Sequence, residues 1–160
     1  MYDHILLPTD GSAAAEAAVD HAVRLARSFE ATVHVLSVVE YVPAVEMDAA
    51  VVHERLRESA DTAADRAVKR LDAAGVAHAS TVRDGSVHRA ILDEADEVGA
   101  NLIVMGTHGR SGVGRVLLGS VTERVVRGAD APVMAVQYHP ENNGGDASKS
   151  EGEVVSDEEE

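Results

Sequence analysis

Residues 101–136 read NLIVMGTHGRSGVGRVLLGSVTERVVRGADAPVMAV. An apolar run from Leu102 to Met105 ends at Gly106. A glycine-rich loop follows with Gly109, Gly112 and Gly114, and Gly119-Ser120 then opens a helical segment. Strand, permissive loop and helix N-terminus in that order build an anion site from backbone N–H groups. Glycines admit positive φ and let a ligand reach the main chain, and Ser120 can cap the helix or donate its hydroxyl to a phosphate oxygen. The stretch is not a Walker A loop, because Gly114 to Ser120 has no lysine after Gly119. It is not a dinucleotide fingerprint either, since its glycines lie late in the chain and in another order.

Working outward, Asp3 to Pro8 reads as a short buried strand. Thr9-Asp10-Gly11-Ser12 is a turn ending in an N-cap at Ser12, and a helix with apolar positions Ala15, Val19, Ala22, Val23 and Ala26 runs from Ala13 to Phe29. Ala31 to Val39 is a second, β-branched strand, and Tyr41 to Asp48, with Pro43, is a loop. Ala49 to Ala74 is a long helix with Gly75 as its C-cap. Val76 to Val82 is a third strand, and Val87 to Val98 a third helix after the Gly85-Ser86 turn. Leu102 to Met105, Ser120 to Arg127 and Pro132 to Gln137 complete a β-α-β-α-β-α-β-α-β order. Such alternation predicts an α/β fold, a five-stranded parallel open sheet with helices on both faces. Ligands of such sheets settle beyond the carboxyl ends of strands at a topological switch point. If the first and fourth strands flank that point, Pro8-Thr9-Asp10 faces Gly106 across one cleft.

The 160 residues suit one domain. Residues 1–139 form it, and 140–160 form an acidic tail too poor in apolar surface to order itself. No segment approaches the roughly 18 apolar residues of a membrane span. The opening MYDHILLPTDG has no basic region ahead of its apolar run, and the chain has no cysteine; a cytoplasmic location is expected. Formal charge is −14, with 28 acidic and 14 basic residues. Only Lys69 and Lys149 are lysines. An acidic, lysine-poor body points to a halophilic protein, in which salt screens the repulsion. It excludes binding to a nucleic acid backbone, which needs clustered positive charge.

His108 lies in the loop, and histidine is the residue type most often used as a general base, yet no acid or nucleophile stands at a readable spacing from it. The eight histidines form no metal-ligand pattern. Asp10 reads either as a turn former or as a ligand group, and Arg115 either as a phosphate partner or as a solvated residue.

Gly106-x2-Gly109-x9-Gly119-Ser120 resembles the nucleotide-binding signature of the universal stress protein family. HILLPTDGS, LSVVE, RDGS and ADAPVMAV are similar to further landmarks of that family, in family order, over residues 1 to 138. The resemblance implies the Rossmann-like fold of adenine nucleotide alpha hydrolases and the ATP-binding branch. It implies phosphate contacts at Gly106, Gly109, Gly119 and Ser120. Thr107, His108, Arg110, Ser111, Val121 and Thr122 would line the same pocket. Pro8, Thr9 and Asp10 would lie toward the ribose and adenine, with Asp10 reaching a bound Mg²⁺, and Val38 would meet adenine through its backbone. It also implies a homodimer formed through the last strand, Pro132 to Gln137. The expected function is a regulatory, stress-response ATP-binding protein whose contacts with an unidentified protein partner depend on the nucleotide. The alternatives are a phosphotransfer or weakly ATP-hydrolysing enzyme of the same fold and a nucleotide-free scaffold dimer.

Overall fold

The computed structural model describes residues 1–41, 48–108 and 118–138. Five strands, β1 (His4–Pro8), β2 (Thr32–Val39), β3 (His78–Asp84), β4 (Leu102–Gly106) and β5 (Val133–Val136), form one sheet in the order β3-β2-β1-β4-β5. Every pairing is parallel. Four helices connect them: α1 (Ala13–Phe29), α2 (Ala49–Ala73), α3 (Val87–Glu97) and α4 (Ser120–Gly128).

Side-chain alternation along the strands sorts the core into two halves. Ile5, Leu7, Val33, Val35, Leu102 and Val104 point to one face, where the alanines of α1 and α2 cover them. Leu6, Leu36, Ile103 and Met105 point to the other, against Ile91 of α3 and Val125 of α4. Alanine at Ala14, Ala15, Ala18, Ala22 and Ala26 gives α1 a buried stripe thin enough to lie close on the sheet. The chain winds outward from β1 through β2 to β3, then returns to the other side of β1 to place β4 and β5. The winding reverses between β1 and β4, so the expected switch point lies at the carboxyl ends of these two strands.

Element ends follow local chemistry. Ser12 caps α1, its hydroxyl accepting from Ala15 N–H at 3.3 Å, and Asp48 caps α2 through Ala50 N–H. α2 ends with Gly75 at φ +67°; Gly75 N–H bonds to Asp72 O and Val76 N–H to Leu71 O. That is a Schellman closure, and it corrects the expected start of β3. Val76 belongs to the helix terminus, buried with Leu71, and β3 begins two residues later. β3 also runs on past Val82, because Arg83 and Asp84 pair with Val38 and Val39 of β2. Salt bridges offset the charge of these two residues: Arg83 meets Glu94 and Glu97, and Asp84 meets His53 and Arg57. No helix among the described residues is long and apolar enough to cross a membrane. Pro43 and the acidic segment from 140 onward fall outside the described residues.

Candidate functional site

At the carboxyl end of the sheet a cleft of about 570 Å³ opens over the switch point, within the range of small-molecule sites. Its floor is the ends of β1, β2 and β4. α2 walls one side, through Leu56 and Ala60, and α3 and the start of α4 wall the other.

The β1 lip is the turn after Pro8. Thr9 N–H donates to Leu36 O at 2.8 Å, and Ser37 Oγ donates to Thr9 O at 2.8 Å. Both Thr9 and Ser37 are buried. Asp10 Oδ1 accepts from Ser12 N–H at 2.9 Å, and Gly11 N–H reaches Thr9 Oγ1 at 3.3 Å. Asp10 is therefore a turn former, as one of its two readings holds, and its carboxylate also lines the cleft.

The β4 lip brings Gly106 and His108 against the N-terminus of α4. Gly119 N–H donates to Thr107 O at 2.6 Å, and Thr122 Oγ1 donates to Gly106 O at 2.9 Å. Gly119 is the N-cap, with no side-chain cap bond, and Ser120 is the first helical residue. The expected capping role of Ser120 is thus corrected, because the helix starts one residue later than a cap at Ser120 requires. Among the described residues, no carbonyl accepts from the amides of Ser120, Val121 or Thr122. These first-turn N–H groups lie at the positive end of the helix dipole. Ser120, Val121 and Thr122 all line the cleft.

Two glycines have steric reasons that the sequence concealed. A Cβ on Gly106 would stand 2.9 Å from both the carbonyl carbon and the Cβ of Ala14, so this glycine lets α1 lie on β4. A Cβ on Gly119 would stand 3.1 Å from His108 Cα and 3.2 Å from Thr107 O, so this one lets α4 start against the end of β4.

Of the expected site residues, Pro8, Thr9, Asp10, Val38, Gly106, His108, Gly119, Ser120, Val121 and Thr122 line one cleft. Thr107 is buried beneath it; its N–H goes to Val136 O, and its hydroxyl lies 3.0 Å from His108 Nδ1. Gly109, Arg110 and Ser111, with Arg115, lie outside the described residues. Sequence reasoning missed Ser37 and Glu40 at the end of β2, Leu56 and Ser59 on α2, and Ile91 on α3. The residues of β2 follow from the carboxyl-end rule; those of the helices carry no local signal. No group of three or more His, Cys, Asp or Glu among the described residues is placed to hold a metal ion.

The universal stress protein family model matches residues 1–137. Universal stress protein MJ0531 of Methanocaldococcus jannaschii is 36% identical over 141 residues, covering 86% of this chain and 83% of that protein. The solved structure of MJ0577, a universal stress protein of Methanocaldococcus jannaschii, superposes with a TM-score of 0.78 at 31% identity, covering 88% of this chain and 99% of that one. A universal stress protein solved in complex with cAMP superposes at 0.65 with 28% identity, covering 86% of this chain and 97% of that one. Matched along its whole described body by sequence model, by curated relatives and by fold, this chain belongs to the universal stress protein family.

Proposed function

We propose that the cleft binds ATP and that the protein works as a nucleotide-dependent regulatory dimer. The observation that carries this reading is that Ser120, Val121 and Thr122, whose amides have no backbone acceptor among the described residues, line the same cavity as the Asp10 turn. The amides offer donors to phosphate oxygens, and Arg110 and Ser111 would add to them from the adjoining loop. Val38, Leu56 and Ile91 give the cleft apolar walls suited to a base. The cAMP complex of a relative supports an adenine nucleotide as the ligand class. Mg²⁺ would arrive on the phosphates, needing only one or two protein carboxylates, and Asp10 would supply one. With ATP bound, the metal would offset phosphate charge that a chain of net charge −14 otherwise repels.

β5 ends the sheet, and among the described residues its outer edge pairs with no strand. An open edge is a template for pairing with a second copy, which supports a homodimer through 132–137. The charge pattern supports function at high salt, in the cytoplasm.

Isothermal titration with Mg-ATP at moderate and high salt tests the reading. Saturable binding without turnover is the expected result. Turnover would favour a phosphotransfer or hydrolytic enzyme, and absence of binding at every salt concentration would favour a scaffold dimer. Gly109→Val is expected to abolish binding, since a side chain there blocks approach to the loop's main chain.

A further inference from the structure

A second cleft, of about 400 Å³, lies on the other side of the Thr9–Ser12 turn, between Gly11 and the outer surface of α2. Arg55, Glu58, Thr62 and Arg66 line it, and Ser59 lines both clefts. Spacings of three, four, seven and eleven residues place these side chains along one stripe of the helix. Gly11, between two residues of the first cleft, has φ +74°, and a Cβ there would sit 4.0 Å from Arg66 Nη1. A bare main chain thus separates the two spaces.

The arginines of α2 divide into two kinds. Arg57 is paired with Asp61 and Asp84, and Arg70 with Glu16 and Asp20. Arg55 and Arg66 have no carboxylate within ion-pair distance among the described residues, though Glu58 shares their cleft. Thr62 spends its hydroxyl proton on Glu58 O, and the two guanidiniums are the charged donors of the cleft. Two arginines without an ion pair among the described residues, against the single carboxylate of Glu58, leave this cavity with an excess of positive charge suited to an anion.

We propose that this second cleft takes a phosphate group attached to the ribose of a nucleotide held in the first. The preferred ligand class is then a nucleoside bisphosphate, with one phosphate at the α4 amides and another, on the 2′ or 3′ oxygen, between Arg55 and Arg66. No residue of α4 lines the second cleft and neither arginine lines the first, so the two donor sets serve separate spaces. This proposal rests on the reading of the first cleft as a nucleotide site.

Titration calorimetry with AMP, adenosine 3′,5′-bisphosphate and adenosine 2′,5′-bisphosphate tests it, at fixed ionic strength. At least one bisphosphate is expected to bind about tenfold tighter than AMP. That advantage is lost in Arg55→Gln/Arg66→Gln and increased in Glu58→Gln, while AMP affinity stays within about twofold in all three proteins. AMP binding with no bisphosphate advantage would overturn the proposal and leave the first cleft's reading intact. If no nucleotide binds, that reading and the bisphosphate both fall. Amide shifts at Gly11 and Arg66 on titration with inorganic phosphate then decide the anion subsite alone: shifts that vanish in the double variant sustain it, and their absence ends it.

Discussion

The two lips of the main cleft are built from the same materials to opposite effect. At the β1 lip, Thr9 is bonded through both its N–H and its carbonyl, and the amides of Gly11, Ser12 and Ala15 all find side-chain oxygens within the turn. This lip consumes its own donors and presents a carboxylate. At the β4 lip, bonding among the described residues comes from Gly119 N–H and Thr122 Oγ1, and no described carbonyl accepts from the amides of Ser120, Val121 and Thr122, which line the cleft. A closed acceptor lip facing an open donor lip gives the cleft a polarity. On the proposed reading, anionic groups would be steered to the β4 side, and hydroxyls or a cation to the β1 side. Buried hydroxyls fasten both lips: Ser37 holds Thr9, and Thr122 holds Gly106.

That comparison can be broken first at Gly106. Gly106→Val forces a side chain into the backbone of α1, and urea unfolding is expected to show a loss of about 3 kcal/mol. A loss below about 1 kcal/mol would mean that α1 does not lie as close to β4 as described. Gly119→Ala is expected to act on function instead. Its φ of −61° tolerates a side chain, so stability should fall by less than about 1 kcal/mol. The helix start must still move away from His108, and ATP affinity should fall about tenfold by calorimetry.

Removing the fasteners sharpens the comparison. Ser37→Ala leaves the Thr9 carbonyl without that donor, and Thr122→Val does the same to Gly106. Each is expected to cost about 1–2 kcal/mol in chemical denaturation. If the lips are independent, the double variant is additive to within about 0.5 kcal/mol; a larger coupling would show that they move as one unit.

The smallest effect lies away from the cleft. His4 Nδ1 and His34 Nε2 stand 3.1 Å apart on the α3 side of the sheet. Burial, and then the neighbouring His4, hold the His34 imidazole below its ordinary range, with Glu94 pulling the other way. The folded state therefore takes up this proton less readily than the unfolded chain, whose histidine titrates near about 6.5. Stability is unaffected above that pH and declines as the pH falls below it. Melting temperatures from pH 7.5 to 5 should show a shallow decline that His34→Gln flattens; an unchanged slope would remove His34 as its source.

Much of this architecture is legible in the chain because each strand carries its own apolar run and each helix its own alanine or aliphatic stripe. The sites of error are physical. Val76 looks like the first residue of a strand because it is β-branched, yet the turn at Gly75 uses its amide to close α2. Arg83 and Asp84 look like a loop because they are charged, yet acids and bases from α3 and α2 keep them in the sheet. The glycine spacing leads to residues that line one cleft, yet it does not show that Gly106 also serves the packing of α1. Leu56 and Ile91 stay hidden because only the paths of α2 and α3 bring them to the cavity. No periodicity records that.

The central claim is that the open donor lip of α4 grips phosphate. It is tested most directly by comparing adenosine with ATP in amide-resolved titrations of the same protein. ATP should bind about a hundredfold tighter than adenosine, and the amides of Ser120, Val121 and Thr122 should shift with ATP but not with adenosine. Equal affinities, with those three amides unmoved by ATP, would contradict the account.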